Sequence, residues 1–119
     1  MPMQPLSEAV LVLVDVQGKL AELMHERDRL AAGLAILLRA ARLLQWPVLC
    51  TEQNPARMGP TIPELAALIP DVAPIPKMSF SCCGAPAFVA AVERSGRREV
   101  LLAGIEAHGY QLLHKLGAP

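Results

Sequence analysis

The sequence predicts an α/β domain in which helices pack on a parallel sheet. Strand-length aliphatic runs alternate with helix-length amphipathic stretches, and this alternation is typical of βαβ units with right-handed crossovers. The first run, Ala9–Val14, is continuously aliphatic, as in parallel strands that are buried on both faces. Hydrophobic residues make up 53% of the 119 residues and charged residues 18%, which argues against disorder. We therefore expect residues 1–119 to belong to a single domain.

The first half of the chain supplies two strands and the helical segment between them. Apolar residues after the first strand recur mostly at steps of three and four, which indicates one or two amphipathic helices. They end before Trp46–Pro47, because the residue before a proline disfavours the helical conformation. The predicted elements are the strand Ala9–Val14, helices from Lys19 to Leu44, the strand Pro47–Thr51 followed by Glu52, and the turn-rich loop Gln53–Thr61.

The second half repeats the alternation with a weaker strand. Pro74 and Pro76 cannot donate to a strand ladder, so the extended segment that holds them is at best an edge strand. Gly96 and Gly104 mark the ends of the elements that precede them. The predicted elements are the helix Pro63–Ile69, the edge strand Val72–Pro76 followed by Lys77, the loop Ser79–Gly84, the helix Ala85–Arg94, the buried strand Glu99–Ala103 and the helix Ile105–Leu116.

Charge and composition exclude several classes of protein. Eleven Lys and Arg balance eleven Asp and Glu, so there is no basic surplus to indicate nucleic-acid binding or a polybasic membrane anchor. Aromatic residues make up 3%, too few for a platform that stacks single-stranded bases. No apolar run has the roughly 18–20 residues that a membrane span needs. The first run also lacks a basic region before it, so we expect a cytoplasmic protein.

The cysteines and histidines do not form a recognisable framework. Cys50, Cys82 and Cys83 are odd in number and two are adjacent, which argues against structural disulfides. The histidines are scattered without zinc-ligand spacing, so no metal site is expected. Cys82 and Cys83 precede a predicted helix N-terminus, a position that can lower a thiol pKa. A small buried cysteine is nevertheless the commoner outcome at such positions.

Polar residues fall where the predicted strands end, at the edge of an open α/β sheet that usually carries the chemistry. Asp15, Glu52 and Lys77 follow three of the strands, and Glu106 and His108 follow the fourth. Asp15 is either a turn former or a functional carboxylate whose hydrophobic surroundings demand a partner. On local sequence alone, Lys77 is more simply a solvated loop lysine, while Glu52 and His108 stay undecided.

Five sequence blocks around these polar residues form a recognisable set. They are Leu11–Leu20, Val48–Asn54, Gly59–Leu65, Lys77–Cys82 and Leu101–His108. Together they run from about Ala9 to His108, nearly the whole chain. In composition and order they resemble the isochorismatase-like cysteine hydrolases, and most of all the metal-free subgroup related to nicotinamidases.

This resemblance implies a fold and a chemistry. Family members fold as a six-stranded parallel sheet of order 3-2-1-4-5-6 and hydrolyse small amides or, in the name-giving case, a vinyl ether. Asp15 matches the family's general base, and Lys77 matches the lysine that tunes the nucleophilic thiol. The residues that match the substrate-binding and oxyanion region are Gln17, Glu106, His108 and Gly109. No metal or other cofactor is implied, and the implied partners are a small-molecule substrate and further copies of the same chain.

The resemblance breaks off at one place. The family continues after His108 with Val-Cys, and that cysteine is the nucleophile, but here the residues are Gly109 and Tyr110. A phenol, with an ordinary pKa of about 10, is no like-for-like replacement for a thiol. In the family order this chain supplies 3-2-1-4, so we expect a C-terminally truncated domain with the last two strands missing. The strand Glu99–Ala103 would then form an exposed hydrophobic edge.

Three hypotheses follow from the resemblance and its break. The first is a hydrolase domain whose cysteine-dependent activity on a small amide-type substrate is impaired, because Tyr110 occupies the nucleophile position. The second is a non-catalytic binding or oligomerisation module derived from the same fold. The third is that Cys82 or Cys83 serves as a replacement nucleophile.

Overall fold

The computed structural model describes residues 9–18, 26–78 and 85–104. Its elements are β1 (Ala9–Val14), α1 (Arg27–Leu43), β2 (Val48–Gln53), α2 (Pro55–Met58), α3 (Pro63–Ala66), β3 (Ile75–Lys77), α4 (Pro86–Ser95) and β4 (Glu99–Gly104). The predictions for Ser79–Gly84, for the helix Ile105–Leu116 and for the helical segment before residue 26 lie outside the described residues.

The four strands form one parallel sheet in the order β3-β2-β1-β4. In the register, Leu11 is opposite Val48 of β2 and Leu101 of β4. The α/β class and the order 3-2-1-4 are confirmed. Parallel strands joined by helices bring all their carboxyl ends to one edge of the sheet, and this edge is where Asp15 and Lys77 lie.

The sheet is covered on both faces, which gives three layers. Alternate residues of β1 point to opposite faces. On one face Leu11 and Leu13 pack in a buried cluster with Leu38 of α1, and on the other Val12 packs with Phe88 of α4. Every residue of β1 is buried, so the continuous aliphatic run reflects a central strand with two apolar neighbours.

Two strand ends differ from the prediction, and both differences lie at the candidate site. β2 runs on to Gln53, so Glu52 lies inside the strand and is buried instead of following it. β3 spans Ile75–Lys77 instead of residues 72–76, because Gln53 pairs in register with Lys77 and so extends the ladder. The predicted edge position of β3 is confirmed, and Pro76 is exposed there.

Other boundaries also shift. The predicted loop Gln53–Thr61 contains the short helix α2, and α3 ends at Ala66 instead of Ile69. The aliphatic run of β4 predicts a buried strand, whereas the family order predicts an exposed edge. Val100 is the one buried residue of β4 and Leu101 is 38% exposed, so the first of these predictions is wrong. The physical reason is its position at the edge of the described sheet, where it has a neighbouring strand on one side. Within the described ranges, no helix is long and apolar enough to cross a membrane.

Candidate functional site

Asp15 follows β1 in a backbone conformation that side chains other than glycine seldom adopt. Its φ is 53°, in the left-handed region, which Asp and Asn tolerate better than most residues. The Asp15 N–H donates to the carbonyl of Thr51 at 3.1 Å and so keeps the chain tied to β2. Strained conformations of this kind are concentrated at functional sites.

A buried ion pair joins Asp15 to Lys77 across the carboxyl end of the sheet. The Lys77 Nζ donates to Oδ2 of Asp15 at 2.7 Å, and the side chains are 0% and 3% exposed respectively. The second carboxylate oxygen, Oδ1, accepts from the hydroxyl of Thr51 at 2.8 Å. Both oxygens of the carboxylate therefore accept hydrogen bonds, one from a side chain of β2 and the other from a side chain of β3. Lys77 lies inside the protein, so the alternative of a solvated loop lysine is wrong.

Gln53 fixes the position of the Lys77 ammonium. Its Oε1 accepts from Nζ of Lys77 at 3.1 Å, and its Nε2 donates to the carbonyl of Met78 at 3.0 Å. The backbone adds a further link, because the N–H of Asn54 donates to the carbonyl of Lys77 at 2.7 Å. The ammonium is thus directed towards Asp15 by an amide that is itself held at both ends.

Gln17 ties this arrangement to the segment that follows β2. Its Nε2 donates to the carbonyls of Gln53 (3.0 Å) and Gly59 (2.7 Å), and its Oε1 accepts from the Gln53 N–H at 2.7 Å. The side chain is fully buried. Gln17 therefore lies next to the ion pair as a positioning group, with its amide already occupied by backbone atoms.

Glu52 and Cys50 occupy the opposite face of β2. Oε2 of Glu52 accepts from both the N–H (2.8 Å) and the hydroxyl (2.9 Å) of Thr61. The Cys50 Sγ lies 3.3 Å from the same hydroxyl. Burial, together with the charges of Glu52 and Asp15, raises the pKa of the Cys50 thiol, although the Thr61 contact partly opposes this. A protonated thiol in the core is a poor nucleophile.

The structure brings together some of the predicted site residues and leaves others undetermined. Asp15, Lys77 and Gln17 meet at the carboxyl edge of the sheet, while Glu52 serves the neighbouring loop. The remaining candidates, which lie outside the described residues, are Cys82, Cys83, Glu106, His108, Gly109 and Tyr110. Among the described residues, no group of three or more His, Cys, Asp or Glu side chains could hold a metal ion.

Sequence reasoning missed Thr51, Gln53 and Thr61 as members of this network. Thr51 pairs in register with Val14, directly before Asp15, so correct strand pairing would have placed its hydroxyl near the carboxylate. Thr61 forms an isolated bridge with Gln17, a contact across 44 residues that no local pattern reports.

The arrangement can hold a proton-accepting carboxylate beside a fixed positive charge in a site shielded from water. A nucleophile placed next to Asp15 could transfer its proton to the carboxylate, while the Lys77 ammonium stabilises nearby negative charge. Such a pair acts as the base and the electrostatic partner of a nucleophile that another part of the site must supply.

Comparisons with known proteins give a consistent result. The family described as Isochorismatase domain matches residues 9–109. The chain is 41% identical over 100 residues to isochorismatase domain-containing protein 2 of Macaca fascicularis, covering 83% of this chain and 47% of that protein. The chain thus spans about half the length of the curated relatives it matches.

Solved structures show the same fold. The MAR1 ribonuclease of Caenorhabditis elegans superposes with a TM-score of 0.81 at 28% identity, covering 98% of this chain and 62% of that one. The YcaC gene product of Escherichia coli, an octameric hydrolase of unknown specificity, superposes with a TM-score of 0.77 at 28% identity, covering 83% of this chain and 50% of that one.

Proposed function

The chain belongs to the isochorismatase domain family, and on that premise we propose that Asp15 and Lys77 form the base and lysine of a hydrolase site for a small amide-type substrate. The observation that carries the proposal is the buried 2.7 Å contact between the two side chains at the carboxyl edge of the sheet. Ionisable groups that are buried as a pair at such an edge are candidates for catalysis.

The chemistry of the site follows from the residues that surround the pair. In family members the thiol gives its proton to the carboxylate that Asp15 matches, and the thiolate attacks the amide carbonyl. The carboxylate then returns the proton to the leaving amine, and water hydrolyses the thioester. In this chain Thr51 and Gln53 hold the carboxylate and the ammonium in place.

The nucleophile is the missing part of this scheme. Tyr110 stands where the family has its cysteine, and a phenol stays protonated at neutral pH unless its pKa falls by several units. We therefore propose that the chain retains the Asp–Lys half of the site and hydrolyses small amides very slowly or not at all.

Ammonia release from a panel of small primary amides, such as nicotinamide, benzamide and acetamide, tests this proposal. We expect no release above the blank from the 119-residue chain. Tyr110→Cys tests the nucleophile directly: any release that it gains should be lost again in the double variant with Asp15→Asn. Turnover by the unmodified chain that Asp15→Ala abolishes would contradict the proposed impairment.

The same assay tests the hypothesis that Cys82 or Cys83 serves as a replacement nucleophile. If Cys82 or Cys83 acts as the nucleophile, the corresponding Cys→Ser variant loses the activity of the unmodified chain. Equal activity in Cys82→Ser and Cys83→Ser dismisses this hypothesis, whatever the rate.

A second candidate function is a non-catalytic module that binds other copies of the chain. The observation that favours it is apolar surface on the described residues, including Leu101 on the edge strand β4. The octameric state of the Escherichia coli neighbour supports self-association in the family. A symmetric oligomer by light scattering, combined with no amide hydrolysis, would favour this function, and a monomer at all concentrations would remove it.

A further inference from the structure

The helix α1 exposes large apolar side chains on the face that points away from the core. Its inward residues, Leu34 and Leu38 among them, are buried against the sheet. On the opposite side Ile36 is 66% exposed and Leu43 is 85% exposed, two turns apart along the helix. Large apolar side chains that are exposed together often mark a contact surface. The outer face of α1, defined by Ala32, Gly33, Ile36 and Leu43, is therefore a candidate contact surface.

Gly33 is unexplained by the fold of a single chain. It lies in the interior of α1, and a Cβ built on it would meet nothing within 4 Å. A glycine in a helix interior makes the helix less stable than an alanine would. Together with Ala32 it forms a low area one turn before Ile36, into which a large side chain of another molecule would fit.

The charged side chains beside this face would complement those of a second copy of the chain. Asp28 and Arg39 both lie on one flank of the face, about three turns apart. The Asp28 side chain is 99% exposed and is contacted by Arg27 at 3.4 Å, whereas Arg39 makes no ion pair or hydrogen bond in the chain that the structure describes. Arg29, which lies on the face itself, is paired with Glu26 at 2.6 Å. The flank thus carries an exposed carboxylate, held at 3.4 Å by its neighbour Arg27, and an exposed guanidinium that a second copy could reach.

We propose that the outer face of α1 binds the same face of a second copy, with the two helices antiparallel about a two-fold axis near residues 33 and 34. In this arrangement Asp28 of each copy meets the partner's Arg39, because an antiparallel pair brings like flanks together. The same register places Ile36 against the partner's Ala32 and Gly33. The charge pairs and the sizes of the side chains thus favour the same register, each independently of the other.

This inference rests on the self-association proposed above and adds the surface that carries it. A 17-residue helix is about 25 Å long. It offers less than the roughly 800 Å² per partner that a standard interface buries. We therefore expect a weak dimer that dissociates in the micromolar range.

Sedimentation equilibrium of the full chain between about 1 and 200 μM tests the surface. Ile36→Glu should leave a monomer over this range, because it buries a charge in the centre of the contact. Leu101→Glu tests the competing surface: it places the same charge on the exposed edge strand β4, and it should leave the dimer unchanged if α1 carries the contact. Far-UV circular dichroism shows whether each variant is folded.

A charge swap at two exposed positions provides a second test, again with far-UV circular dichroism to show that each variant is folded. Asp28→Arg and Arg39→Asp each turn two attractive pairs into repulsive ones, so we expect the dissociation constant to rise about tenfold. Combining both substitutions restores opposite charges and should return it to within about twofold of the original value.

The outcomes separate the surface from the self-association. A chain that stays monomeric at 200 μM overturns both. A dimer that persists in Ile36→Glu but is lost in Leu101→Glu overturns the α1 surface and assigns the contact to β4. A double charge variant that remains as weak as the single variants overturns the antiparallel register.

Discussion

Removal of the cation from the buried pair should be severely destabilising. Lys77→Met keeps most of the side-chain volume but leaves Asp15 buried without the ammonium that lies 2.7 Å away. At an effective dielectric constant of about 20, two unit charges at that distance attract by about 6 kcal/mol, which sets the upper scale. Breaking a buried pair by removing one partner typically costs about 3–5 kcal/mol. We expect a loss of that size, a large share of an ordinary domain's stability of about 5–15 kcal/mol.

Urea unfolding measures this loss, with fluorescence of the single tryptophan as the signal. Trp46 is buried in the core cluster beside α1, so its emission reports the loss of the core. Arg42→Met is the matched control: it removes a cation that is also 2.7 Å from a carboxylate, that of Asp71, but at the exposed surface. It should cost less than about 1 kcal/mol.

A double variant completes the experiment. In Asp15→Asn/Lys77→Met no charge is left buried, so the free energy of unfolding should recover by about 2 kcal/mol or more relative to Lys77→Met. Similar losses in Lys77→Met and Arg42→Met would refute the reasoning, and so would single-variant losses that simply add in the double variant.

Three further predictions concern other contacts. Gln17→Ala should lower the free energy of unfolding, measured with urea, by roughly 2–3 kcal/mol, because the buried backbone groups that Gln17 contacts lose their partners. Gln17→Glu should lower this free energy further, since it turns carboxylate oxygens towards the carbonyls of Gln53 and Gly59. The hydrogen bond from Arg27 lowers the pKa of Glu64 below its ordinary value. The pair therefore stabilises the fold fully at pH values above the ordinary pKa of a glutamate, and this stabilisation is lost as the pH falls through the lowered pKa of Glu64. The difference in Tm between the unmodified chain and Arg27→Gln should therefore shrink as pH falls from roughly 5 to 2, and a constant difference would contradict this. Gly104→Ala should cost about 1–3 kcal/mol in urea unfolding, because its Cβ would lie 2.5 Å from the carbonyl oxygen of Val14.

The fold was predictable because its signals are local. β1 is central, so both its faces are apolar and its sequence is one continuous aliphatic run. The helices α1 and α4 each bury one stripe, and their three- and four-residue spacing shows it. Pro76 removes a donor, which indicated the edge position that β3 occupies. Each of these features can be recognised from a few consecutive residues of the sequence.

The polar network of the site was predictable only in part. The carboxyl-end rule placed Asp15 and Lys77 correctly at the edge of the sheet, while their catalytic roles stay predictions. Gln53 was assigned to a loop, because three consecutive polar residues obscure the end of β2. Its backbone and amide are satisfied by Gln17 and by β3, which are far away in sequence. Propensity cannot report partners that only tertiary structure supplies.

The cost of the Asp15–Lys77 pair is itself an argument about function. A buried ion pair can often be replaced by uncharged side chains of similar volume without loss of stability. Asp15 also adopts a left-handed conformation that costs on the order of 1 kcal/mol. If Asp15→Asn/Lys77→Met is as stable as the unmodified chain, folding does not require the charges, and chemistry at the site is the remaining reason for them. If the double variant stays several kcal/mol less stable, the pair is structural, and the proposed hydrolase site loses its main support.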